Sequence, residues 1–499
     1  MEMTDRGAGT QTQKSDQFLR WAALAGCAAF FCQLIAYNFV DIDIWHQMAL
    51  IRESLSAGHL LKTDPYAYTP TVRPWIDHEW GAGAIAYFST LWFGSRAILV
   101  WKFLLAAGTG FLGVRCCQSR RVDFRLTSAC APPAIFLAYL GFFATIRAQA
   151  YSFFLTALLL FLLELDRRGS RWWMVGWLAV FPLWVNLHAG FVVAIGVICA
   201  HAIEQVLRRA PARHLMVLLA GMLTEILLNP YGVEYLRYLR RALFMARPYA
   251  PEWGSVWGLG AAWTAAWLVA VLVAAFSIGS VGWRSAPGIA VLWTTVVEAV
   301  LHRKLLPFFA LLWFCYVPSY LQQTGPGKWW IEFAKRRSLF LAVTWIVFAG
   351  VCMTAAVRQK PWNLVIPQPP YPVGPVQYLA QEKFTGNLMV PFRLGAYVSW
   401  KLYPAVKVSL DSRYEVAYPD RVVQQVFEFY DAHPNWQATL AAFPTDAVLV
   451  PREAPIAHRM SGTGWRCVYT DEQFQVYARP SLPLTEQDWT SRSFRGTFP

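Results

Sequence analysis

The sequence is poor in charge. Lys, Arg, Asp and Glu make up 15% of its 499 residues, against about a quarter in a soluble domain. That scarcity excludes a disordered or fibrous chain and argues against an ordinary soluble enzyme of two or three domains. Acidic residues are the scarcer kind, 30 against 44 basic ones, for a net charge of +14. The basic residues fall in short clusters between apolar runs, so membrane topology accounts for them without nucleic acid. The nine cysteines lack zinc-ligand spacing, and all but Cys467 lie in or beside apolar segments. A disulfide framework or a metal cluster is therefore not indicated. The sequence contains no Gly-x-x-x-x-Gly-Lys-Ser/Thr phosphate loop and no tandem repeat.

What the chain has is apolar length. Apolar residues reach 56% and the mean hydropathy is +0.33. A transmembrane helix needs about 20 mostly apolar residues. Eleven candidate spans follow, near 18–40, 97–114, 127–146, 150–165, 172–187, 189–207, 214–229, 261–280, 286–301, 305–321 and 338–357. The first is too long, and its flank too polar, for a cleaved signal peptide. Residues 81–94 are apolar but short for a crossing, and suit an interfacial helix. If 81–94 does not cross, the clusters Arg120-Arg121-Arg125, Arg167-Arg168-Arg171 and Arg208-Arg209-Arg213 lie inside. The positive-inside rule prefers that arrangement. It places the N-terminal tail (1–17) in the cytoplasm, the transmembrane part at 18–357 and the first outer loop at 41–96. Residues 358–499 then form an extracytoplasmic domain.

That C-terminal part opens with a Pro-rich linker (Pro367, Pro369, Pro370, Pro372, Pro375). Strand-like runs are expected at 388–391, 406–410 and 447–450, and helices at 375–381 and 420–433. A hairpin is expected from 465–470 and 474–478. The whole reads as a multi-pass α-helical membrane protein with a small α/β domain.

Polar groups gather on the outer side of this topology. The first loop opens with Asp41-Ile42-Asp43-Ile44-Trp45-His46. A helix should follow, with Ile44, Met48, Ile51 and Leu55 on one face resting on the bilayer surface, and Asp43 in position to cap it. The loop closes with Asp77-His78-Glu79. Such a run at an interface is either used or simply solvated. Arg147 and Gln149, Asn186 and His188, Glu252, Glu298, and His302-Arg303-Lys304 mark the outer ends of later spans. Each alone fits an interfacial anchor. Together they describe a site: cations suit a phosphate, and carboxylates suit a general base or a metal ligand. Asp43, His78 and Glu79 are the candidate metal ligands, for Mg²⁺ or Mn²⁺. In the C-terminal part, Asp411-Ser412-Arg413-Tyr414-Glu415 offers either an acceptor-facing surface or an ion pair that holds a turn.

These motifs resemble the GT-C superfamily of membrane glycosyltransferases, which includes protein mannosyltransferases, lipid A aminoarabinose transferases and oligosaccharyltransferases. The closer similarity is to a bacterial branch of it, and it covers nearly the whole chain. It is carried by Asp41–His46, Asp64-Pro-Tyr-Ala-Tyr-Thr69, Pro74–Trp80, Arg147-Ala-Gln149, Trp184–Gly190 and Leu228–Gly232. In the C-terminal part it is carried by Tyr371–Gly374, Gly386-Asn387, Gly395–Tyr397 and Leu410–Glu415. The resemblance implies a polyprenyl-phosphate sugar donor at the outer leaflet of the inner membrane. A glycan, lipid or protein hydroxyl would attack with inversion. Asp43 would be the base, with Asp41 second. Arg147, Arg303, Lys304 and His188 would hold the leaving phosphate, and Asp77, His78 and Glu79 would orient the sugar. Gln149, Asn186 and Glu252 complete the candidate substrate contacts. A lipid-linked saccharide flippase and a non-catalytic assembly partner are the alternative classes. A flippase needs no base at the outer face and favours inverted repeats.

Overall fold

The structure is a computed structural model, and it describes residues 3–141, 147–245, 247–366 and 371–499. The end of the third expected span (142–146) and three prolines of the linker, Pro367, Pro369 and Pro370, lie outside the described residues. The chain forms two compact units. One comprises Met1–Asn38, Leu99–Ile226 and Arg247–Asn363. The other comprises Phe39–Ile98, Leu227–Ala246 and Leu364–Pro499.

The first unit is helical. Each of the eleven expected segments contains a helix, but among the described residues six are long and apolar enough to cross a membrane: Lys14–Ile35, Ala97–Ser119, Gln149–Arg167, Ala261–Val281, Arg303–Leu321 and Ser338–Arg358. Trp173–Leu187, Phe191–Leu207 and Ile289–Leu301 are apolar but shorter. The helices Phe124–Ala138 and Arg213–Glu225 complete the set, and the first of these holds Pro132 and Pro133.

The helix Leu306–Leu321 is the hub. Nearly every residue on it is buried, and it packs on Phe124–Ala138, Ile289–Leu301, Ala261–Val281 and Gln149–Arg167. A helix apolar all round belongs in such a position. Ser338–Arg358 is its opposite, with Leu339, Phe340, Val343, Val347 and Val351 exposed. It packs along the first helix, where Leu19, Ala22 and Ala342 form a core. Gly26 permits this approach, because a Cβ there would run into the ring of Trp345.

Buried charge in this unit is tied to helix ends. The Lys102 amine donates to the carbonyls of Ile35 (2.8 Å) and Tyr37 (3.1 Å) and to Asn38 Oδ1 (2.7 Å). It thereby satisfies carbonyls at the C-terminus of the first helix, where a cation is favoured. At the far end of Gln149–Arg167, Glu164 accepts from Arg120 (2.7 Å) and Arg167 (2.5 Å). Asp166 accepts from Trp173, and is paired with His201 and His214.

The second unit is α/β. Its strands, among the described residues, are β1 (Gly386–Met389), β2 (Val406–Val408), β3 (Ala447–Pro451), β4 (Arg466–Thr470), β5 (Phe474–Ala478) and β6 (Gln487–Asp488). They form one sheet in the order β2-β1-β3-β5-β4-β6. The β1 strand runs parallel to β2 and β3, and the β4–β5 pair is the expected antiparallel hairpin. Helices Val373–Gln381 and Asp420–Tyr430 stand where their amphipathic patterns place them.

The first loop belongs to this unit. Ala67 bridges Val408 at the β2 edge. Tyr68 N–H donates to Val408 O (3.1 Å), and Thr69 Oγ1 to Ser409 O (2.6 Å). The loop helix is Ile42–Ala57, capped at its C-terminus by Gly58 with φ of 73°. Two expectations for it are corrected here. Its apolar face does not rest on a bilayer: Ile44, Met48 and Ile51 are buried against Gly395–Leu402 and Trp80–Phe93, and only Leu55 is exposed. The protein offers that face a better-packed partner than lipid. The N-cap is not Asp43 but Asp41, whose carboxylate accepts from Asp43 N–H at 3.1 Å. Asp41 occupies the extended conformation that an N-cap requires, whereas Asp43 already lies in the first helical turn. The short segment 81–94 is a helix, Trp80–Phe93.

Candidate active site

In the second unit an acid–imidazole cluster assembles at the two ends of the first loop. Gln47, on the loop helix, donates to Glu79 Oε2 at 2.5 Å. His78 Nε2 lies 3.4 Å from Glu79 Oε1, and its ring stacks on Tyr238 with centroids 5.1 Å apart. Asp77 is 6% exposed and accepts from Glu79 N–H. Burial pushes the Asp77 carboxyl up to about 6, partly offset by His78. His46 is buried, and its Nδ1 lies 2.9 Å from Ser412 Oγ. Burial lowers the imidazole to about 4, so it is neutral at pH 7.

Beneath the cluster sits an ion network. Arg413 pairs with Asp411 (2.5 Å) and Asp64 (2.6 Å), and all three side chains are 0–1% exposed. Burial would raise Asp411, but the adjacent guanidinium holds it below the usual carboxylate range. At Asp64 burial prevails and the carboxyl is raised. The sequence motif Asp411-Ser-Arg413 is therefore an ion pair that holds the turn. The acceptor-facing reading of the motif then rests on Ser412, which is half-buried beside His46. The Glu415 and Tyr414 side chains lie outside the described residues. Gly395 makes room for the turn, since a Cβ there would strike the Leu410 carbonyl.

Asp43 is half-buried in the first turn of the loop helix, and Asp41 is buried at its cap. Both lie within electrostatic reach of Tyr371. Among the described residues, no three His, Cys, Asp or Glu side chains gather to hold a metal ion.

The remaining candidates lie in the first unit, in two groups. His188 terminates the helix Trp173–Leu187. Gly190 N–H donates to its Nδ1 (2.9 Å), and Ser152 Oγ stands 2.8 Å from the same nitrogen. Trp184 Nε1 donates to Ser152 Oγ at 2.8 Å. With Nδ1 accepting, the neutral ring carries its proton on Nε2 and presents a donor. Asn186 turns back to the Pro182 carbonyl at 2.8 Å. Arg147 and Gln149 stand at the start of the helix Gln149–Arg167, both half-buried.

The second group surrounds Trp253. The Lys304 amine sits 3.3 Å, and the Arg247 guanidinium 3.8 Å, from the ring centroid. His302 Nδ1 donates to the Trp253 carbonyl at 2.8 Å. Arg303 donates through one nitrogen to Gly258 O at 2.9 Å, which leaves further N–H groups of its fork for an anion. Glu252 is half-buried beside Trp253, and Glu298 is half-buried on Ile289–Leu301. Sequence reading missed Gln47, Tyr238, Arg247 and Lys102, and it gave Ser412 no link to His46. Lys102 carried a signal, as an ionised group inside an apolar run needs a partner.

No family model matches the chain, and no curated protein matches it. Solved structures do. ArnT from Cupriavidus metallidurans bound to undecaprenyl phosphate aligns at a TM-score of 0.53 and 12% identity, over 92% of this chain and 97% of that one. Its apo state gives 0.52 over 90% and 96%. The chain has the GT-C fold. The archaeal oligosaccharyltransferase AglB from Archaeoglobus fulgidus, in complex with an inhibitory peptide and a dolichol-phosphate, aligns at 0.53 and 12% identity, over 87% of this chain and 69% of that one. Both proteins are GT-C glycosyltransferases. The fold match agrees with the resemblance carried by the sequence motifs.

Proposed function

We propose that the chain is a membrane glycosyltransferase. It moves a sugar from a polyprenyl-phosphate donor to an acceptor hydroxyl, on the extracytoplasmic side of the inner membrane. The observation that carries this reading is a fold shared, over 92% of the chain, with a protein solved with undecaprenyl phosphate.

The acceptor oxygen forms a bond to the anomeric carbon as the bond from that carbon to the phosphate oxygen breaks. The configuration inverts, and polyprenyl phosphate leaves with the electron pair. The acceptor proton passes to the Asp43 carboxylate. Asp41 is second choice because its carboxylate already serves the helix cap. Arg147 and Arg303 neutralise the charge developing on the phosphate, with Lys304 and His188 behind them. Asp77, His78 and Glu79 orient the sugar, and Gln149, Asn186 and Glu252 supply further polar contacts. No step is routed through a divalent ion.

The test uses purified full-length protein and polyprenyl-phosphate sugars extracted from the native membrane, and reads free polyprenyl phosphate. The wild type should release it, and Asp43→Asn should be slower by about 10²–10⁴, the usual contribution of a general base. An unimpaired Asp43→Asn would refute the base assignment. No release by the wild type, with lipid-linked sugar crossing vesicle bilayers instead, would make the chain a transporter. An EDTA arm reads any need for Mg²⁺ or Mn²⁺.

A further inference from the structure

The helix Val233–Phe244 has two chemically different faces. Its inner face buries Tyr235 and Leu239, and Tyr238 stacks on His78. Its outer face exposes Val233, Leu236, Leu243 and Phe244, the last to 85%. On that outer face Arg237, Arg240 and Arg241 line a pocket of about 560 Å³. Glu234, paired with Arg237, is the one acidic residue of the helix.

Scattered exposed apolar side chains need no explanation. Here they are not scattered. At 100° per residue, Leu243, Leu236, Arg240, Val233, Phe244, Arg237 and Arg241 follow one another around the outer side. Apolar tips and guanidinium groups therefore share one surface. Water suits only the second kind. A bilayer interface suits both, with acyl boundary for the apolar side chains and phosphates for the arginines. A neutral headgroup layer would leave the excess positive charge without a counterpart, whereas an anionic layer matches it.

We propose that this helix docks on anionic phospholipid headgroups of the surrounding bilayer, and that docking holds Tyr238 against His78. The surface goes beyond the proposed transfer reaction, because it reads the host lipid and not the sugar. It makes the acid–imidazole cluster sensitive to bilayer composition through the stacked Tyr238 ring and its neighbour Tyr235.

The test is amide hydrogen exchange on the full-length protein in lipid nanodiscs, either neutral phosphatidylcholine alone or with about a third phosphatidylglycerol. Amides of 233–244 should exchange about ten-fold slower in the anionic discs, given the per-arginine attraction expected at such a surface. The triple variant Arg237→Gln, Arg240→Gln, Arg241→Gln should lose that difference, while protection of β3 stays at the wild-type level and certifies the fold. Equal exchange of the wild type in both discs would overturn the proposal, as would a lipid dependence that survives in the triple variant. Protection restored in neutral discs by short-chain polyprenyl phosphate would also overturn it, and would give the arginines to the donor. The readout needs no transfer activity, so its failure leaves the proposed reaction standing.

Discussion

The two units handle charge in opposite ways. In the first, each buried carboxylate described at the helix ends is matched by cations or dipoles: Glu164 by Arg120 and Arg167, Asp166 by His201, His214 and Trp173. In the second, carboxylates and imidazoles crowd together. Asp77, His78 and Glu79 are consecutive, and His46 feels Asp411, Arg413, Glu79 and His78 at once. A fully matched carboxylate is a poor base, since its proton affinity is suppressed. A crowded, desolvated one has its proton affinity raised towards neutrality. The comparison therefore separates carboxylates whose charge is met locally from a cluster in which burial raises the proton affinity of Asp77.

The largest effect should come from the fully buried ion network of the second unit. Arg413→Ala strands Asp64 and Asp411 in the interior and should cost about 3–5 kcal/mol, read as loss of protease resistance across 364–499. A change below about 1 kcal/mol would show that water reaches this turn.

The crowded cluster should answer to pH. A carboxyl raised in the folded state stabilises the protein below its unfolded value, and that contribution is lost as pH rises through the folded value. For Asp77, raised to about 6, the window runs from about pH 4 to 6. Asp77→Asn should remove a pH-dependent term of up to about 3 kcal/mol, seen as a melting temperature that varies less than wild type between pH 4.5 and 7. Parallel curves would show that Asp77 is solvated.

Smaller effects separate the two imidazole supports. Ser412→Ala, beside His46, and Ser152→Ala, beside His188, should each cost about 1 kcal/mol, the worth of one neutral hydrogen bond. Only Ser152→Ala should weaken donor binding, because it supports His188, which is proposed to hold the leaving phosphate. Lys335→Ala breaks an exposed pair with Glu332 and should change stability by less than about 0.5 kcal/mol.

Much of this fold was legible because its signals are local. Apolar length marked eleven helices of the first unit but not the polar-faced Gly325–Arg336, and short strand-like runs marked β3 and the β4–β5 hairpin. Short elements escaped: Gly395–Leu402 and β6 carry too few residues for a period to show. The loop helix was found but its environment was misread. Amphipathicity gives a buried face without saying what buries it, and here the partner was protein. The Asp64–Arg413 pair was out of reach for a different reason. Both residues stood in recognisable motifs, but no local rule joins positions so far apart. Only the cost of an unpaired buried charge hinted that each had a partner.

The seam between the first loop and the sheet also has a meaning in time. Thr69 and the Ser409 carbonyl it binds are 340 residues apart. At ribosomal speeds of about 5–20 residues per second, the loop exists for some tens of seconds before its partner strand is made. Until then Asp64 has no guanidinium to meet and the Ala67 segment has no strand to join. The earliest-made part of the second unit is thus among the last to mature, and it waits outside the finished structure for the end of its own chain.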